Sequence, residues 1–226
     1  MRIAVDKGQQ AGKHETKHNW LRQKGHELVE LPLPVGDYVV INEKILDVLD
    51  RKSSRVMINK DKETEEYIKK IGTEPKKLDF LGTYKVTVDS KKDLQEVISN
   101  VCSRTHGRFR DEVILAHNNG IKLFILVENG GKINSLDAVK EWINPRQFLY
   151  EKKIRKEWNI PKDADFQTEV AELKKHGAKI VRGPTTGEEL YKAMVTMSEK
   201  YGVEWVFTDK KSAGMKIIEL LGGDAQ

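Results

Sequence analysis

The stretch "GTYKVTVDSKKDLQEV" spans residues 82–97. Val86 and Val88 alternate with Thr87 and Asp89, the period of a strand. Beyond Lys91 the apolar positions change spacing: Leu94, Val97, Ile98 and Val101 recur as on a helix. Asp89 and Lys91 are two residues apart, so an extended chain points both the same way. A carboxylate and an amine fixed together on a core strand cost desolvation unless something compensates. The stretch therefore predicts a strand-to-helix unit whose acid–base pair serves a metal ion and a phosphate.

The same alternation of strand and helix runs outward from it. "RIAVD" (2–6) reads as a buried strand, followed by a helix over about 14–24 with Trp20 and Leu21 inward and Gly25 as its stop. "HELVELPL" (26–33) leads into "VGDYVVI" (35–41), a second strand broken by Pro32 and Pro34, and "KILDVLD" (44–50) extends the hairpin. "DLQEVISNVCSR" (93–104) and "GRFRDEVILAHNNG" (107–120) are helices, the latter ended by its Asn-Asn-Gly turn. "KLFILVEN" (122–129) is a continuous apolar strand of the kind found inside parallel or mixed sheets. "SLDAVKEWI" (135–143) is a helix with Ser135 as N-cap. "TTGEELYKAMVTMSEKYG" (185–202) is a helix closed by Gly202, "VEWVFT" (203–208) a strand and "SAGMKIIELLGG" (212–223) the last helix. Two charged stretches, about 51–80 and 145–183, interrupt this pattern; the second reads as irregular. The expectation is one α/β domain with two charged insertions, its core completed by residues 184–222.

The 226 residues carry 40 Lys and Arg against 35 Asp and Glu, a net charge of +5. That balance fits a polyanionic partner, although the charges are mixed. Cys102 is the only cysteine, which excludes an intrachain disulfide and a cysteine zinc cluster. The longest apolar runs are short, such as "LFILV" (123–127), so no membrane span or signal peptide is expected, and a cytoplasmic location is.

Three patterns compete for the chemistry. "HETKH" (14–18) has the zinc-hydrolase string, with His14 and His18 on one helical face and Glu15 as base. Little scaffold precedes it, and Lys17 would be hard to bury. "GQQAGKH" (8–14) resembles a phosphate loop but is one residue short and lacks a Ser or Thr after the lysine. The third pattern is Asp6, Asp37 and the Asp89–Lys91 pair, all at predicted strand ends, where a sheet edge could gather oxygen ligands for a hard cation.

The order Gly-Asp on one strand, Asp-x-Lys on the next, then two helices resembles the PD-(D/E)XK restriction-endonuclease-like superfamily. Within it the chain is most similar to the XPF-type structure-specific endonuclease domain, in the short versions of phages and prophages of Gram-positive bacteria. The matching stretches are "AVDKGQ" (4–9), "LPVGDYVV" (33–40), "VTVDSKKDLQEV" (86–97), "HGRFRDEVILA" (106–116), "KLFILVENGG" (122–131) and "YGVEWVFTDKKSAGMKIIELL" (201–221). The chain departs from the pattern in having Gly8-Gln9 for Arg-Glu, Asp89 for Glu and Ser90 for Arg. "LDRKS" (49–53) fits the central motif better by letter, which leaves Asp50–Lys52 as an alternative pair on one face.

The resemblance implies a mixed sheet flanked by helices and a metal-dependent DNA endonuclease. Asp37 and Asp89 would hold Mg²⁺ or Mn²⁺, with Asp6 and the main chain of Ser90 as further ligands and Lys91 on the phosphate. Gln9, Glu96 and Glu112 would support the site, and Lys92, Arg108 and Arg110 would contact DNA. The usual tandem helix-hairpin-helix module is not seen before Gln226, so specificity for branched or flap DNA would come from a partner or a homodimer. "ELYKAMVTMSEKYG" (189–202) and "MKIIELL" (215–221) could form that homodimer or pack in the core. A catalytically inactive DNA-binding module and a zinc hydrolase are the alternatives.

Overall fold

The computed structural model describes residues 1–9, 12–57, 74–102 and 107–222. Its centre is a mixed sheet of six strands in the order β2-β1-β3-β4-β5-β6. These are β1 (Arg2–Asp6), β2 (Glu27–Leu31), β3 (Tyr38–Val40), β4 (Val86–Lys91), β5 (Lys122–Val127) and β6 (Glu204–Phe207). β3 runs antiparallel to both β1 and β4, while β1 with β2, β4 with β5, and β5 with β6 are parallel. The carboxyl ends of β1, β4 and β5 therefore meet the amino end of β3 at one edge.

Alternation along each strand gives the sheet two apolar faces. Ala4, Val39, Leu123, Ile125 and Val127 face one layer, built by α3 (Leu94–Val101), α4 (Gly107–Asn118) and α7 (Gly187–Tyr201). Ile3, Val5, Tyr38, Val88, Phe124 and Leu126 face the other, covered by α1 (Glu15–Gln23) and α8 (Ala213–Leu220) through Leu21, Ala213, Ile217 and Ile218. The apolar sides of α7 and α8 are thus used inside the chain: Leu190, Met194, Ile217 and Ile218 are all buried. Gly202 ends α7 at a φ of 70°, the left-handed cap expected of it.

The structure corrects four readings. "HELVELPL" and "VGDYVVI" give two strands that flank β1 on opposite sides and do not pair with each other. "KILDVLD" lies in α2 (Glu43–Met57), because Ile45, Val48 and Leu49 form a helical apolar stripe that packs into the core. Residues 137–141 make only a 3-10 turn, with Leu136 rather than Ser135 preceding it; the Ser135 hydroxyl still accepts from the Ala138 amide at 3.3 Å. Residues 145–183 are not irregular. They hold α5 (Arg146–Glu157) and α6 (Phe166–Lys175) around a small core of Ile154, Ile160, Phe166 and Val170. Of the stretch 51–80, residues 58–73 lie outside the described residues; the rest contributes the end of α2 and a 3-10 turn at Lys77–Phe80.

Candidate active site

The sheet edge where β3 opposes its neighbours collects the carboxylates. The Asp6 amide donates to the Asp37 carbonyl and the Asp37 amide to the Val88 carbonyl, each at 2.9 Å, so Asp37 is wedged between β1 and β4. Gly36 makes that entry possible: its φ is 73°, and a Cβ there would stand 2.0 Å from Thr87 Oγ1. Its amide donates to Glu112 Oε1 at 2.8 Å, which draws α4 onto the same edge.

A cavity of about 640 Å³ opens here. Asp6, Gln9, Asp37, Asp89, Ser90, Lys91, Glu96, Arg108 and Glu112 all line it. Lys91 Nζ donates to Asp89 Oδ1 at 2.8 Å. Asp89 Oδ2 is 2.7 Å from the same ammonium but lacks hydrogen-bond geometry and is buried. The ammonium also stands 5.3 Å from the centre of the Phe109 ring. Burial, only partly offset by Lys91, raises the Asp89 pKa, and the neighbouring Asp37 and Glu112 add to the rise. Burial disfavours the Lys91 charge, yet Asp89 and then Asp37 outweigh it and its pKa is also raised. Burial likewise raises Glu112. Burial and the nearby Asp37 carboxylate thus raise both Asp89 and Glu112.

Asp37 points differently. Its Oδ2 accepts from the Ser90 amide and the Ser90 hydroxyl, both at 2.9 Å. The Ser90 hydroxyl in turn accepts from Lys17 Nζ at 3.1 Å, and Lys17 forms a close ion pair with Glu128. Ser90 lies one residue from Asp89 and faces the other side of the sheet. Lys17, expected to be hard to bury, is only 4% exposed; Glu128, just past β5, neutralises it. Sequence reading missed this pair. Its one visible signal is the acid closing "KLFILVE".

The remaining candidates take lesser places. Asp6 Oδ1 accepts from the Leu33 amide at 2.9 Å and has Lys77 at 3.7 Å. Glu96 Oε2 accepts from the Lys92 amide at 2.9 Å at the start of α3. Gln9 reaches toward the Tyr38 hydroxyl, with hydrogen-bond geometry at neither amide atom. Lys92 and Arg110 are exposed, lie outside the cavity lining and pair with Asp93 and Asp111 at 3.9 and 3.7 Å. Asp50 and Lys52 sit on α2, where residues two apart do not share a face. Lys52 instead pairs with Asp79 at 3.1 Å, so the alternative pair is not assembled.

His14 and His18 stack with ring centres 5.9 Å apart. His18 Nε2 lies 3.0 Å from the Tyr38 hydroxyl, and burial with the nearby His14 lowers its pKa to about 4. Glu15 is exposed beside Arg22. Among the described residues no group of three or more His, Cys, Asp or Glu side chains could hold a metal, so the histidines lack the third ligand a zinc site requires. The donors at the carboxylate edge are all oxygens. A pair of carboxylates completed by main chain, water and substrate phosphate is the manner of Mg²⁺, which needs no all-protein cage. The Asp89 oxygen without a hydrogen bond fits that use.

The family model for the ERCC4 domain matches residues 5–221, and the chain belongs to that family. No curated protein matches the chain. Among solved structures it is similar to XPF from Aeropyrum pernix in complex with DNA, at 14% identity and a TM-score of 0.45. The similarity covers 97% of this chain and 62% of that one. Among the described residues no helix is long and apolar enough to cross a membrane.

Proposed function

We propose that the chain is a metal-dependent DNA endonuclease that cuts branched, flap or otherwise structured DNA in recombination or repair, in a phage or prophage setting. One observation carries the reading: Asp37, Asp89, Lys91 and Glu112, drawn from distant segments, line one cavity at one sheet edge. Asp37 and Asp89 would hold Mg²⁺ or Mn²⁺, with the Ser90 carbonyl beside them and Asp6 as support. The bound ion would activate a water and offset charge on the phosphate. Lys91, held against Asp89 and the Phe109 ring, supplies a fixed positive charge for the phosphate oxygens as water attacks phosphorus and the bond to the leaving oxygen breaks. Arg108, exposed on the cavity wall, would reach an adjacent phosphate. Gln9 offers hydrogen bonds where the family pattern has a carboxylate. Two copies pairing through α7 and α8 would use the outer sides of those helices, where Met215 is 40% exposed.

The test is cleavage of linear duplex, flap, splayed-arm, single-stranded and four-way-junction DNA in Mg²⁺, Mn²⁺ or EDTA. Wild type is expected to cut a branched substrate only with metal. Asp89→Asn and Lys91→Ala should each lose on the order of 1000-fold, and Asp50→Ala nothing. DNA that is bound but never cut in any metal would favour the inactive binding module.

A further inference from the structure

The helix α5 has two unlike sides. On the inner side Ile154 is buried and the Tyr150 hydroxyl donates to the Val181 carbonyl at 2.9 Å. Arg155 is fully used there: it pairs with Glu151 at 2.8 Å, donates to the Ala164 carbonyl at 3.1 Å and lies over the Phe166 ring. On the outer side Arg146, Phe148, Leu149, Lys152, Lys153 and Lys156 are all exposed. Phe148 is 72% and Leu149 65% exposed. Helical spacing interleaves them, since Phe148 neighbours Lys152, and Leu149 neighbours Arg146, Lys152 and Lys153. None of these four cations has an ion pair or hydrogen-bonding side chain among the described residues. Glu157 is the one exposed acid on this side.

The root of this arm is tied to the cavity wall. Asn144 is 5% exposed; its Oδ1 accepts from Gln95 Nε2 at 2.7 Å and from the Arg146 amide at 3.0 Å, and its Nδ2 donates to the Thr185 carbonyl at 2.8 Å. Gln95 belongs to α3, whose Glu96 and Asn100 line the cavity. The segment that leads into α5 is thus anchored on the helix that borders the proposed active site.

We propose that this face binds the unpaired portion of a branched DNA substrate, with phosphates on Arg146, Lys152, Lys153 and Lys156 and an unstacked base against Phe148 and Leu149. The proposal rests on the nuclease reading for its setting. Cations alone would suit any polyanion, but exposed aromatic and aliphatic side chains among them suit a nucleic acid whose bases are free to stack. Paired duplex hides those base faces and offers phosphates and groove edges instead. A second copy of the chain fits poorly, because a two-fold contact would set four cations against their own images with only Glu157 to offset them.

The experiment is DNA binding by fluorescence anisotropy in EDTA, with splayed-arm DNA and fully paired duplex of equal length. Sedimentation of the protein and binding to phosphatidylserine vesicles are measured in parallel. The double variant Phe148→Ala/Leu149→Ala should bind splayed-arm DNA on the order of tenfold more weakly and duplex within about twofold of wild type. Lys152→Ala/Lys153→Ala should weaken both and lower the salt slope by about two. The proposal is overturned if both variants bind splayed-arm DNA like wild type, or if the apolar variant loses both DNAs equally. It is also overturned if wild type is a dimer that the apolar variant dissociates, which assigns the face to a second copy, or if vesicle binding rather than DNA binding is lost. Binding in EDTA needs no catalysis, so a protein that never cuts DNA would still pass or fail this test on its own terms.

Discussion

Two lysine–carboxylate pairs stand back to back at the end of β4, and they are opposites in use. Lys17 and Glu128 lie on the α1 side, where the Ser90 hydroxyl also accepts from Lys17. Lys91 and Asp89 lie on the α4 side and line a cavity, with one Asp89 oxygen lacking a hydrogen bond and further carboxylates nearby. The chemistry of the two pairs is the same; the surroundings differ. A sealed and satisfied pair fixes structure, whereas a pair in excess negative charge beside open space is poised to take a cation and a phosphate.

The largest effect is expected from breaking the sealed pair. Lys17→Met leaves Glu128 buried without its partner and should cost about 3–5 kcal/mol, read by denaturant unfolding. Lys17→Met with Glu128→Leu should recover most of that, because no unpaired charge remains. Equal losses in the single and double variants would mean that the pair acts through Ser90 and Asp37 rather than as a neutralised unit.

A smaller effect comes from the open pair. Asp89 has a folded pKa above its ordinary value, so folding favours its protonated form. That contribution is present below about pH 4 and is lost as pH rises through the raised folded value. Lys91 is also shifted upward, stays charged across this range and adds no slope. In EDTA, wild type should therefore lose a few degrees of Tm relative to Asp89→Asn between pH 5 and pH 8. Parallel curves for the two proteins would remove the charge excess from the account.

The sequence made the open pair legible and hid the sealed one, for a physical reason. Asp89-x-Lys91 is local: the period of β4 alone puts both side chains on one face. Asp37 is legible through the order of the Gly-Asp and Asp-x-Lys motifs, whereas the strand expected over 35–41 begins only at Tyr38, because Gly36 takes a left-handed φ of 73°. The Lys17–Glu128 contact joins residues 111 apart, and nothing near Lys17 announces its partner. The antiparallel course of β3, which brings Asp37 to the carboxyl ends of its neighbours, is likewise a matter of topology. The hairpin expected at "KILDVLD" failed because its short apolar run suits either a strand or a helix, and packing of Ile45 and Val48 decided for the helix.

The most direct measurement is a calorimetric titration of Mn²⁺ into wild type, Asp37→Asn, Asp89→Asn and Glu128→Gln, with folding checked by circular dichroism. Binding to wild type and Glu128→Gln, lost in Asp37→Asn and Asp89→Asn, is the result predicted for a cation site on the cavity side alone. Binding that survives in Asp89→Asn, or disappears equally in a folded Glu128→Gln, would contradict it.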